Sequence, residues 1–344
     1  MMSDFNNDFN NDFNNGGKRC ENVMNGPNRT RAPALCRRRL AALILSAALS
    51  AGSLAWADPA VPRVFSSPEQ AAEALAAAWR SGATDQLLAL FGPEGARLVR
   101  SGDPAGEQFA RKRLAAAYGE AHRIESEGEG KAVVVLGKDA WPYPIPLVRQ
   151  EAGWRFDAKA GAEQIVDRRI GRNESNAINV CRAYVEAQQG YARMHRLAGG
   201  RHEYARRVAS TPGKHDGLYW PTSGREDESP LGPLVAAADA QGYGAANAEG
   251  LAPFHGYLYR ILTRQGKSAS GGARDYVADG KMTGGFAMVA FPAKYGDSGV
   301  MTFVVNQHGI VFEKNLGPDT SAIARHMSEY NPDASWKVAQ PLVR

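Results

Sequence analysis

Several residues in this chain are of types that do chemistry, and their spacing decides what chemistry is open to them. Gly296-Asp297-Ser298-Gly299 puts a serine in a tight turn, and His255 and Asp275 precede it. A serine nucleophile needs a histidine base and a carboxylate to orient that base, so the order raises acyl transfer as one reading. Ser298 follows His255 by only 43 positions. That span is too short for the barrel that serves a His, Asp, Ser order, and no cysteine stands beside the serine. The four residues read instead as a turn feeding a strand over Val300–Asn306.

The other reactive types are scattered. The seven histidines are His122, His195, His202, His215, His255, His308 and His326. None forms His-x-x-x-His or Glu-x-x-His on a helix, and only His195 and His202 could share a helix face, which makes them solvated helix-end residues before they are zinc ligands. Gly266-Lys267-Ser268 lacks the upstream glycine and the strand–helix setting of a phosphate loop. Lys214, His215, Asp216, Tyr219, Trp220, Arg225 and Glu226 mix charge and aromatics in one loop, and Lys281, His255 and Tyr259 fall near strand ends. Both groups read first as solvated loop and edge residues. Cys181 lies on an apolar helix stripe and reads as a small buried hydrophobe, although Arg182 beside it would favour a thiolate. No catalytic, cofactor-binding or metal residue is assigned.

The elements that would position these residues fall into two blocks with an α+β order. In the first, 58–160, Ser66-Ser67-Pro68-Glu69-Gln70 is a capped helix start, and Ala71, Leu75, Ala78 and Trp79 continue one stripe to Gly82. Helices over Asp85–Phe91 and Gly106–Tyr118 follow, then strands over His122–Glu127, Ala132–Leu136, Ile145–Gln150 and Gly153–Ala158. The prolines of Trp141-Pro-Tyr-Pro-Ile-Pro146 keep that run extended and out of a sheet centre. The second block, 161–344, opens with a long helix over Ala162–Leu197, where Ile178, Cys181, Tyr184, Val185, Gln188 and Tyr191 recur at helical steps. A Gly, Pro and charge-rich stretch over 198–254 reads as a long loop with one helix at Leu234–Ala240. Strands at Gly256–Thr263, Phe286–Phe291, Val300–Asn306 and Ile310–Lys314 form a four-stranded antiparallel sheet, with a hairpin turn at Asn306-Gln-His-Gly309. A final helix runs from Pro318-Asp319 to about Tyr330.

The first 57 residues read differently. Three DFNN repeats over 4–15 have too little apolar content to order, and a start at Met24 would skip them. Arg37–Arg39 then precede 18 uncharged residues, Leu40–Ala57, closing on Ala55-Trp56-Ala57 before Asp58-Pro59. This is the form of a cleaved export signal, with seven alanines, three serines and a glycine making it a weak membrane span. No cysteine follows the run, which argues against a lipoprotein, and Arg38-Arg39-Leu40 is a degenerate twin-arginine signal. Cleavage after Ala57 would give a periplasmic chain of 287 residues with no transmembrane span. The net charge of +5 would fall to +2, with 34 basic against 32 acidic residues. Cys20 and Cys36 would leave with the signal. An intramolecular disulfide and a site built on two cysteines are then both excluded. The near-neutral remainder gives no support to nucleic-acid binding.

The runs Phe254-His-Gly-Tyr-Leu-Tyr-Arg-Ile-Leu-Thr263, Gly-Gly-Ala-Arg-Asp-Tyr-Val277, Gly-Lys-Met-Thr-Gly-Gly-Phe286, His-Gly-Ile-Val-Phe-Glu-Lys-Asn-Leu-Gly-Pro-Asp319 and Asn-Pro-Asp-Ala-Ser-Trp336 resemble an exported bacterial family, the domain of unknown function numbered 2950. The resemblance covers about 65–336 and implies an envelope protein, with no activity or cofactor attached to it. The first block resembles nuclear-transport-factor-2-like cones. Arg172-Asn-Glu-Ser-Asn-Ala-Ile leading to Ala-Gln-Gln-Gly-Tyr191 is similar to the pilin and pseudopilin helix, and the later strands to the pilin sheet. A pilin carries an apolar half-helix where this chain has Ala162-Glu-Gln-Ile-Val-Asp-Arg-Arg169, so filament assembly is not implied. The expectation is a non-enzymatic binding or scaffolding module for another envelope component, of open oligomeric state. The alternative is a periplasmic hydrolase working in the cone pocket or under the 198–254 loop.

Overall fold

Ser67 caps α1 (Pro68–Ser81), the first helix among the described residues, by accepting the Gln70 amide on its hydroxyl, and Gly82 ends it in the left-handed conformation. The computed structural model describes residues 62–221, 228–243 and 252–340. The repeats, the basic and apolar run, the Ala55-Trp56-Ala57 boundary, Arg225 and Glu226 lie outside the described residues. Helices α2 (Thr84–Phe91), α3 (Ala96–Val99) and α4 (Pro104–Glu120) follow. Strands β1 (His122–Ser126), β2 (Lys131–Leu136), β3 (Trp141–Pro142), β4 (Leu147–Gln150) and β5 (Gly153–Phe156) make an antiparallel sheet in the order β1-β2-β4-β5, with β3 also paired to β2. Phe65 joins that sheet at its β5 edge by exchanging backbone hydrogen bonds with Trp154. Leu75, Trp79, Leu87, Phe91, Leu136, Ile145 and Phe156 close the first core between helices and sheet.

Asp157 caps α5 (Ala158–Met194), a single helix of 37 residues that starts four positions before the apolar period implies. Its first turns pack on the first core, and its stretch from Ala177 to Ala192 lines a second one. The second sheet is antiparallel and runs β14-β13-β12-β11-β6, from β6 (Tyr257–Leu262), β11 (Ala287–Pro292), β12 (Met301–Asn306), β13 (Phe312–Asn315) and β14 (Lys337–Val338). It has five strands where four are expected, because Lys337 and Val338 add a short edge to β13. The whole of β11 is buried, covered by α5 and by α7 (Thr320–His326). The last helix stops well short of Tyr330. The Arg260 guanidinium takes the carbonyls of Ala324 and Met327, and Tyr330 turns away to bond across Arg264 and Gly266. Two small ribbons lie between β6 and β11: β7 (Arg264–Gln265) with β8 (Arg274–Asp275), and β9 (Val277–Ala278) with β10 (Lys281–Met282). Together these layers make an α+β protein.

Residues 201–221 form an ordered strap without helix or strand. Gln188, fully buried on α5, donates to the Ala205 carbonyl and accepts the Ala205 amide, which satisfies the backbone where the strap crosses the helix. Leu218 and Trp220 then drop into the second core, and α6 (Gly232–Ala240) packs beside it.

Close packing at the start of α5 makes one position testable. A side chain on Gly161 would place its first carbon 2.4 Å from the Pro144 carbonyl oxygen, whereas one on Gly119 of α4 meets nothing within 4 Å. Gly161→Ala is expected to lower stability in urea unfolding by about 1–3 kcal/mol through overpacking. Gly119→Ala should leave it unchanged or raise it by up to about 1 kcal/mol through helix propensity.

Candidate functional site at the junction of the two cores

Asp103 begins the site as a helix cap. Followed by Pro104, it starts α4 and accepts the Gly106 amide on Oδ1 at 3.0 Å. Its other oxygen reaches into the second block, accepting the Tyr243 hydroxyl at 2.6 Å and the Gly256 amide at 2.7 Å. Gly256 is required there: its φ is +74°, and a side chain would lie 2.4 Å from the Asn173 amide nitrogen. His255 precedes it with a φ of +50°, rare for a residue with a side chain, and its half-buried ring lies 4.1 Å from Phe254 and 5.5 Å from Tyr243. Burial lifts the Asp103 pKa above the usual carboxylate range, against the hydrogen bonds from Tyr243, Gly106 and Gly256 that favour its charge. Burial also raises the Tyr243 phenol and lowers the His255 imidazole to about 4. A carboxyl and a phenol at 2.6 Å are the right types for proton transfer. Asp103 is only 4% exposed, however, and both of its oxygens are occupied by the chain's own donors. The arrangement is a clasp between blocks.

A second set of polar residues completes the junction. Arg97 and Lys294 pair with the two Asp297 oxygens at 2.6 and 2.5 Å. Burial opposes ionisation of Asp297, and these two cations outweigh it, holding the carboxyl below its usual value. Arg169 on α5 donates to the backbone carbonyls of Arg97, Leu98 and Asp297, Asn173 donates to the Ser298 carbonyl, and Glu174 accepts the Val300 and Met301 amides. Ser298 is fully buried, and its hydroxyl bonds only to the Lys294 backbone. Asp275 stands opposite Arg264 on the β7–β8 ribbon. The turn reading of Gly296–Gly299 matches this geometry, and no His–Asp–Ser hydrogen-bond chain forms.

Comparison with known proteins identifies the group. The model of a family described as protein of unknown function (DUF2950) matches residues 62–339. The chain belongs to the DUF2950 family. No curated protein and no solved structure matches it.

In this DUF2950 protein the other candidates are drawn into local structure. The His195 Nδ1 sits 3.0 Å from the Tyr191 carbonyl with its ring stacked on Tyr191, and the His202 Nδ1 sits 3.0 Å from the Ala192 carbonyl. Each is spent on a backbone carbonyl of the last turns of α5, and among the described residues no group of three or more metal-binding side chains forms. In the strap, Asp216 accepts the Thr211 amide and hydroxyl, and His215 stacks on the buried Trp220 at 4.3 Å. Lys281 pairs with Glu203, and the Tyr259 hydroxyl donates to the Phe254 carbonyl. The Ser268 amide donates to the Asn331 Oδ1, so Gly266-Lys267-Ser268 is a pinned turn. Cys181 is fully buried, and burial lifts its thiol to about 12 despite Arg182. Asp103, Tyr243 and Arg169 were not singled out by residue type or spacing. Only the Asp103-Pro104 helix start carried a local signal.

His255 makes the junction acid-sensitive in a defined sense. Its folded pKa near 4 lies below the usual 6.5, so protons bind the unfolded chain first as pH falls. Its contribution is complete above about pH 6.5 and is lost between there and about 4, by up to about 3 kcal/mol. The raised Asp103 works the opposite way, favouring the fold as pH falls. His255→Asn, which tolerates the left-handed backbone, is expected to remove about 2 kcal/mol of the stability lost between pH 7 and 4.5. Urea midpoints at the two pH values check it.

Proposed function

We propose that this chain is an exported envelope protein that binds or scaffolds another envelope component and does not catalyse a reaction. The observation that carries export is the order Arg37–Arg39, uncharged Leu40–Ala57, then Ala55-Trp56-Ala57 before Asp58. No described helix is long and apolar enough to cross a membrane. The binding reading is supported by how the polar groups are used. The strongest candidate acid–base pair, Asp103 with Tyr243, has its hydrogen-bonding capacity filled by the junction, and Ser298 is sealed in its turn.

Production of the full-length chain in a Gram-negative host tests export. Osmotic shock should release a protein whose first residue is Asp58. A cytoplasmic product that keeps its leader would overturn the reading. The same purified protein is expected to leave ester, peptide and glycan probes unhydrolysed. Turnover that disappears in Asp103→Asn while the unfolding midpoint is unchanged would replace binding with catalysis.

A further inference from the structure

The β7–β8 ribbon carries an ion pair that is set up and left open. Arg264 and Asp275 are directly opposite in the antiparallel register, so their side chains leave the same face from Cβ atoms about 5 Å apart. Among the described residues neither the guanidinium nor the carboxylate has a hydrogen-bond or ion-pair partner. Both line a recess of about 340 Å³, whose other walls are Arg260, Ile261, Thr263, Val277 and Ser328. Arg260 spends its Nη2 on the carbonyls at the end of α7, while its buried Nε has no partner.

These walls differ in what they can hold. Arg264 and the hydroxyls of Thr263 and Ser328 are donors suited to a carboxylate. Asp275 accepts only, and is suited to an ammonium group. Ile261 and Val277 offer hydrocarbon. A simple anion would meet repulsion from Asp275, and a simple cation would meet it from two arginines. A molecule with both charges would meet neither.

We propose that this recess binds a small zwitterion, an amino acid or a short peptide with both termini free, with its carboxylate on Arg264 and its ammonium on Asp275. The volume is at the lower end of small-molecule pockets and suits a ligand of that size. The assignment is independent of where the protein resides and of the junction clasp.

Calorimetric titration of the purified full chain with L-alanine and L-alanyl-L-alanine tests it, with the N-acetylated dipeptide, the dipeptide amide and inorganic phosphate as controls. Saturable binding of either zwitterion is expected, and the two arms show whether the source is a free amino acid or a peptide. Capping either charge should weaken binding at least tenfold. Asp275→Asn should abolish the penalty for acetylation, and Arg264→Gln the penalty for amidation, each without moving the unfolding midpoint because both side chains are exposed. Absence of saturable binding, equal binding of the capped forms, phosphate binding as tightly as the zwitterions, or indifference to both substitutions would each overturn the proposal.

Discussion

The Arg169 guanidinium is the constraint on which the rest of the molecule is hung. From the first third of α5 it donates to carbonyls at Arg97, Leu98 and Asp297, two in the first block and one in the second. Burial lowers its pKa, with Asp297 and Glu107 opposing that effect and Arg97 adding to it. The three acceptors repay the lost hydration, since hydrogen bonds to a charged group contribute about 1.5–3 kcal/mol each. A lysine could not fill this place, because its three donors do not form a planar fork. Once the fork is set, Asn173 one turn further on reaches the Ser298 carbonyl, and Glu174 holds the two amides that begin β12.

The charged run ending in Asp167-Arg168-Arg169 lies in the first turns of α5. Its last residue, Arg169, donates to neighbouring backbone, while Glu163, Asp167 and Arg168 stay exposed. Asp103 does the same from the other side, joining the start of α4 to the approach to β6. The polar groups of the junction are therefore mostly architectural, while Arg264 and Asp275 of the β7–β8 ribbon are not spent in this way.

How much of this was legible in sequence follows from how local each cause is. Ser67 with Pro68, the hairpin at Asn306–Gly309 and the apolar steps from Ile178 to Tyr191 act within one or two turns of chain, and the elements they imply are present. The end of the last helix was misjudged because Arg260, some sixty positions earlier, takes its final carbonyls. The strap over 201–221 reads as loop by composition, since nothing in Ala205 itself reveals that Gln188 satisfies its backbone. The junction was the least legible part. Asp103, Tyr243 and Gly256 are 140 and 153 positions apart along the chain, and their types are ordinary one by one. At Ser298 the short spacing from His255 already argued for a turn, and the buried hydroxyl bonded to the Lys294 backbone agrees with it.

The length of α5 carries a mechanical consequence. At 37 residues it spans about 55 Å, and it belongs to both hydrophobic cores. Most of the stability of a helix in a folded protein comes from the surfaces packed along it rather than from its own propensity. Melting either core would strip one half of α5 and loosen the turns that the other half uses. Two cores that could have been separate cooperative units thus share one backbone, and the shared helix ties their unfolding together.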